Sequence, residues 1–332
     1  MAIAQPYLMF LADSPDPLAA KTAQGIVHWR PEWCLGQLRL EGCKADLRIP
    51  DMTVEAAAKA GAKTMIVGVA NRGGKVGGSW LAALTEALER GLDLASGLHR
   101  RLSDIPELRE LAAQRGRTLY DVRHPTRDFD VANGRKRSGK RLLTVGTDCS
   151  VGKMYTTLAL EKEMKNRGMK ADFRATGQTG IFIAGSGVSI DAVVADFISG
   201  AVEWLSPPND ADHWDLIEGQ GSLFHASYAG VSLGLLHGAQ ADALVMCHEP
   251  TRPHMRGLPD YKLPDLAACI EANERAARLT NPAARCIGIS INTAGLEASA
   301  ADECLRKAEK TYGLPAVDPF RTGVARIVDA LG

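Results

Sequence analysis

The sequence predicts an α/β protein of two domains, a small parallel-sheet domain followed by a doubly wound domain built around a phosphate-binding loop. Three observations predict it. Short apolar runs alternate with helix-period segments along most of the chain, a polar turn-rich stretch divides that alternation in two, and a Gly-rich loop ending in Gly-Lys stands between a strand and a helix in the second half. Strands that alternate with helices are covered on both faces, so this order implies parallel sheets.

In the first half, strand-like runs at 7–12, 64–70, 92–98 and 118–122 alternate with helical patterns at 52–60, 79–90 and 107–115. The stretch 125–140 then carries Asn133-Gly134, Ser138-Gly139 and the charges Arg135, Lys136 and Arg137, turn and polarity signals that mark a boundary. Domains at 1–130 and 141–332, joined by a solvated linker at 131–140, are expected. The second half repeats the alternation, with strands at 142–145, 172–175, 215–218, 243–247 and 286–291 and helices at 154–166, 191–204, 264–279 and 298–312. No repeat or low-complexity tract interrupts it.

Composition narrows the partners. The chain has 332 residues, 45% of them hydrophobic, enough for two cores. Lys+Arg and Asp+Glu both total 39, so no net field favours nucleic acid or an anionic membrane. Small molecules and further copies of the chain, a homo-oligomer, are the expected partners. The seven Cys form no Cys-x-x-Cys pair, and the apolar run 7–12 is too short for a signal core, so reduced thiols and a cytoplasmic location are expected.

The chemistry centres on Gly146-Thr147-Asp148-Cys149-Ser150-Val151-Gly152-Lys153-Met154. A strand runs into it and a helix opens from it, the context in which backbone N–H groups and a helix N-terminus converge on a phosphate. Lys153 is expected to contact phosphate oxygens, with Asp148 and Ser150 pointing into the site. The Ser or Thr that ordinarily follows Gly-Lys gives a hydroxyl to Mg²⁺, and Met154 has none. The loop therefore suits a phosphate without a metal–triphosphate, and no metal is expected.

Ligands of doubly wound sheets bind beyond the carboxyl ends of the strands, which directs attention to the residues that follow each one. Asp172 to Gly180 offers Arg174, able to clamp a carboxylate through two hydrogen bonds or to pair with Asp172 or Glu218, and Gln178. Asp215 to Ser222 places Glu218 where P-loop proteins carry a second acid. His248 to Arg256 adds Arg252, while two prolines in His-Glu-Pro-Thr-Arg-Pro-His rule out helical metal-ligand spacing. His225 and His248 stand out among the eight histidines by their neighbours. In the first domain, Arg72 of Asn71-Arg-Gly-Gly-Lys75 follows a strand and could reach a ligand.

The loop, Arg174-Ala-Thr-Gly-Gln-Thr-Gly180, Glu218-Gly-Gln-Gly-Ser222 and Asn292-Thr-Ala-Gly295 together resemble the D-glutamate N-acetyltransferases, the DgcN-like proteins, across nearly the whole chain. The loop also resembles the modified P-loop of dethiobiotin synthetases, which end the motif in Thr and use ATP with Mg²⁺. The first resemblance implies a Rossmann-like domain ahead of a P-loop domain and acetyl transfer from acetyl-CoA to the amino group of D-glutamate. The second implies an ATP/Mg-dependent ligase or kinase, against which Met154 stands. Coenzyme A carries a pyrophosphate and needs no phosphoryl transfer, which suits a loop lacking the Mg²⁺ hydroxyl. Acetyl transfer then asks for a base, expected at Glu218 with His225 second. Oxyanion donors are expected in the Gly-rich turns or Gln178, and carboxylate clamps at Arg174, Arg252 or Arg72.

Overall fold

The computed structural model describes residues 3–69, 77–125 and 127–332, and the chain divides into two compact units: Met1–Thr126 with Gly177–Ala192, and Arg127–Thr176 with Val193–Gly332. Arg72 and its neighbours 71–75 lie outside the described residues.

The first unit holds a parallel sheet of β1 (Tyr7–Ala12), β2 (Cys34–Arg39), β3 (Thr64–Val67), β4 (Asp93–Ser96) and β5 (Leu119–Asp121) in the order β2-β1-β3-β4-β5. Every residue of β1 is buried, as expected of a central strand covered on both faces. Helices α1 (Lys21–Trp29), α2 (Val54–Lys59), α3 (Gly78–Glu89) and α4 (Pro106–Arg115) supply the cover. From α3, Leu84 and Leu88 join Leu8, Phe10, Met65 and Leu94 of the sheet in one apolar core.

The second unit is a six-stranded parallel sheet of β6 (Lys140–Gly146), β7 (Ala171–Arg174), β8 (Trp214–Ile217), β9 (Ala243–His248), β10 (Arg285–Ile291) and β11 (Ala316–Val317), ordered β11-β10-β9-β6-β8-β7. The chain leaves β6 by α5 (Lys153–Asn166) for the edge strand β7, returns to β8, and then crosses to β9 on the far side of β6. Such a reversal opens a crevice at the carboxyl end of the central strand, and the Gly-rich loop lies there. After β7 comes α6 (Gln178–Ala184), which belongs to the first unit and packs on α1. The remaining helices are α7 (Ile198–Leu205), α8 (Ala229–Ala239), α9 (Leu266–Ala277), α10 (Ala298–Tyr312) and α11 (Ala325–Asp329).

The two parallel sheets are those expected, and residues 131–140, exposed or half-buried throughout, carry hydrogen bonds to neighbouring helices. Glu203 accepts the N–H groups of Asn133 and Gly134 at 3.0 and 3.1 Å, and Arg137 donates to the carbonyls of Ser206 and Gly238 at 2.9 and 2.7 Å. Polar groups of this stretch thus tie the segment onto α7 and α8. Among the described residues no helix is long and apolar enough to cross a membrane.

Candidate functional site

The loop after β6 is built as an anion cradle. Ser150 and Gly152 have φ of +54° and +100°, with Val151 between them outside the left-handed region, an alternation that turns successive N–H groups to one side. Gly152 is also the N-cap of α5, so the helix's first unpaired N–H groups open toward the same place. On the other side, Arg252 donates to the carbonyls of Cys149 and Ser150 at 2.7 and 3.2 Å. Lys153 is buried and its Nζ donates to the Asp148 carbonyl at 2.8 Å, while desolvation pulls its ammonium below the usual lysine range. Gly219 makes room: a Cβ there would stand 1.7 Å from the Thr144 carbonyl and 3.0 Å from the lysine's Cδ.

Asp148 is fully buried, and it does not point into the cradle as expected. Its Oδ1 accepts the Cys149 N–H at 2.6 Å, and its Oδ2 accepts Arg252 Nη1 at 2.6 Å and the Arg256 N–H at 2.8 Å. His225, 1% exposed, uses both ring nitrogens on backbone. Its Nδ1 accepts the Ser227 N–H at 3.1 Å, so the proton sits on Nε2, which donates to the Arg256 carbonyl at 3.0 Å. That occupancy corrects the assignment of His225 as a base. One atom each from Asp148, Cys149 and His225 lie within 4.8 Å of one another, a spacing that would suit an ion. The carboxylate and the imidazole are already spent, and burial holds the Cys149 thiol above its usual range, so the trio does not fit a metal.

Beside the loop, Thr147 Oγ1 lies 3.0 Å from His248 Nδ1, and burial holds that imidazole below its ordinary 6.5. Glu218, just past β8, accepts the Thr176 N–H at 3.0 Å and Gln220 Nε2 at 3.2 Å. A small cavity of about 10 Å³, room for one water, lies beside the loop and is lined by Thr144, Gly146, Gly219, Gln220, Ser222 and Asn273, among others. The structure thus brings together the loop and the turn that follows Glu218.

Of three other expected ligand residues, Arg174 is turned away from the loop, Arg252 braces it, and Gln178 belongs to the first unit. Arg174 Nε and Nη2 both lie 2.7 Å from Asp215 Oδ1, with Asp172 at 3.8 Å. Since Arg174 is registered with Ile217, a contact to Asp215 turns the guanidinium back toward the amino ends of the strands, away from the loop. Arg252 is the loop's staple, held by Asp148, Glu249 and two carbonyls, rather than a clamp for an acceptor. Gln178 belongs to the first unit and lies against Gly97, where a Cβ would come 2.0 Å from its Oε1. The role of Asp148 was missed because its partners stand about a hundred residues further on, where the pattern Arg-Pro-His-Met-Arg was the only available sign.

Fold and loop define a class: an α/β protein with a Rossmann-like unit and a phosphate-binding P-loop unit. Residues 38–125 match a domain of unknown function (DUF1611_N), Rossmann-like, and residues 130–328 match its companion (DUF1611_C), a P-loop domain. The chain belongs to this family. A D-glutamate N-acetyltransferase from Tritonibacter scottomollicae is 57% identical over 329 residues, and one from a Pseudoalteromonas species is 51% identical over 328, each alignment covering 99% of both chains. The crystal structure of a DUF1611 family protein from Anabaena variabilis superposes with a TM-score of 0.88 at 33% identity, over 99% of both chains.

Proposed function

We propose that this chain transfers the acetyl group of acetyl-CoA to the amino group of D-glutamate, giving N-acetyl-D-glutamate and CoA. The observation that carries the reading is the 57% identity, over 99% of both chains, to a protein of that activity. The loop supports it chemically. A cradle of N–H groups with Lys153, followed by Met154 where a Mg²⁺ hydroxyl would stand, suits the pyrophosphate of a coenzyme better than a nucleotide awaiting phosphoryl transfer.

In the reaction the neutral amine attacks the thioester carbonyl, a C–N bond forms, the C–S bond breaks, and the amine's proton must leave as the thiolate departs and is protonated. Glu218 is the proton acceptor we assign, just ahead of the Gly219–Ser222 turn beside the loop and braced by Thr176 and Gln220. Backbone N–H groups of the Gly219–Ser222 turn are the oxyanion donors we assign. The seven cysteines are all free thiols, which supports a cytoplasmic protein. Exposed Phe224, Tyr228 and Leu233 support a homo-oligomer.

The test is release of CoA thiol from acetyl-CoA in excess EDTA with D-glutamate, D-glutamine, D-alanine and L-glutamate as acceptors. Rapid release with D-glutamate alone is expected, because with both carboxylates held the L-amine points away from the thioester. Mg²⁺-dependent ATP hydrolysis in place of thiol release would move the chain to the ligase class.

A further inference from the structure

We propose that Arg256 supplies the coenzyme's pyrophosphate with the positive charge that Mg²⁺ supplies in loops ending Gly-Lys-Ser or Gly-Lys-Thr. The inference rests on the acetyl-CoA reading and goes beyond it by naming what replaces the metal.

A pyrophosphate brings two negative charges to the cradle, and the loop itself provides one cation, Lys153. Arg252 adds no second one, since its charge is cancelled by Asp148 and Glu249. Arg256 is the next candidate along the chain, and its main chain is fixed from both sides. Its N–H rests on Asp148 and its carbonyl on His225, two side chains almost wholly removed from water. The hydrogen bonds from Met255 N to the Tyr261 carbonyl, at 2.8 Å, and from Leu258 N to the Met255 carbonyl, at 3.0 Å, stiffen the turn further. Gly257, at φ +77°, reverses the chain immediately after the arginine.

What this mount presents is an exposed guanidinium for which, among the described residues, no hydrogen bond or ion pair is formed. It is rooted at the loop, because the Arg256 N–H donates to Asp148, a residue of the loop, at 2.8 Å. The trio Asp148, Cys149 and His225, whose spacing would suit an ion, thereby gains a different purpose: the carboxylate and the imidazole hold an arginine's backbone beside the cradle. Burying a carboxylate is costly unless it is fully satisfied, and here each bond it accepts fixes either the loop or Arg256.

The experiment is calorimetric titration of CoA and of pantetheine, which lacks the pyrophosphate, into wild type, Arg256→Ala and Arg256→Lys in EDTA, with melting temperatures to confirm folding. A charge-assisted hydrogen bond to phosphate corresponds to roughly a tenfold or greater loss of CoA affinity in Arg256→Ala. Arg256→Lys should recover part of it, and pantetheine binding should be the same in all three. Equal CoA affinity in wild type and Arg256→Ala would overturn the inference, as would an equal loss with pantetheine. Failure of the acetyl-transfer reading looks different: CoA affinity that depends on Arg256 with no D-glutamate acetylation would sink the enzyme assignment and leave this inference standing. A wild type that does not bind CoA would remove both.

Discussion

At the carboxyl end of the second sheet a buried carboxylate, Asp148, holds Arg252 at 2.6 Å; at the amino end another, Asp215, holds Arg174 at 2.7 Å. The residue types are the same, but their employment differs. Both Asp148 oxygens take backbone N–H groups as well as the guanidinium, so that pair shapes the main chain of the loop and of the Arg256 turn. Asp215 takes side chains only, Arg174 and Asn209, and its Oδ2 has no hydrogen-bond partner among the described residues. Its cross-strand neighbour Arg141 is wholly buried and donates to the carbonyls of Arg137 and Ser138, with burial drawing its guanidinium below the usual range. The ion pair at the carboxyl end thus organises the main chain of the loop, whereas the pair at the opposite end neutralises charge that the fold has buried.

The largest expected effects come from removing each carboxylate. Asp148→Ala takes from Arg252 one of its two carboxylates and leaves two backbone N–H groups without acceptors, and Asp215→Ala leaves Arg174 with Asp172 at 3.8 Å. Breaking a buried pair on one side costs about 3–5 kcal/mol, so both variants should lose comparable stability in denaturant titrations. Their affinities for CoA should separate. Asp148→Ala loses at least tenfold, as expected when a charge-assisted contact and its supporting loop are lost, while folded Asp215→Ala keeps the wild-type Kd. A matching loss in Asp215→Ala would break the comparison.

Arg174→Ala sharpens it. The variant should reproduce the destabilisation of Asp215→Ala and leave the ratio of kcat/KM for D-glutamate over D-glutamine where it was. A flattened ratio would mean that the guanidinium serves the acceptor after all. Lys153→Ala should behave oppositely, with its loss confined to the KM for acetyl-CoA, by roughly tenfold, and stability nearly retained because a desolvated ammonium has been removed.

How far the sequence discloses such differences depends on what carries the signal. Strands β1, β6 and β9 lie within two residues of where their apolar runs put them, and the cradle is readable because Gly-Lys after a strand has few other uses. Helix α8 was not read, since Gly230, Gly234 and Gly238 lower its helix propensity. The structure explains the last two: a Cβ at Gly234 would come 2.4 Å from Ile198, and one at Gly238 equally close to the Ser199 carbonyl. Packing against α7 overrides propensity there. Strand β2 was missed for a related reason, because Gly36 interrupts its pattern where Met52 closes on the backbone. Arg174 misled differently. Its position at a strand's carboxyl end is correct, but the direction of a long side chain along the strand is set by a partner on β8 that no local pattern announces.

The smallest expected effect concerns His248, whose imidazole faces Thr147 at the ligand end. Burial, with Arg252 adding to it and Glu249 opposing, holds its pKa below the ordinary 6.5. Above pH 6.5 neither the folded nor the unfolded chain protonates it, and its contribution to stability is fully present. As pH falls below 6.5 the unfolded chain takes up a proton that the folded chain refuses, so stability drains away until the lower, folded value is passed. His248→Gln removes that slope. The Tm of wild type should therefore fall faster than that of His248→Gln between pH 7 and pH 5, the gap amounting to a few degrees at most, since about 1 kcal/mol moves a chain of this size by roughly 2–4 °C. If CoA places its phosphates beside the Thr147 end of the loop, saturating ligand should shrink the gap by raising the folded value toward 6.5. Parallel Tm profiles for the two proteins, with and without CoA, would show instead that this imidazole protonates alike in folded and unfolded chains and that the carboxyl end is less dry than its burial indicates.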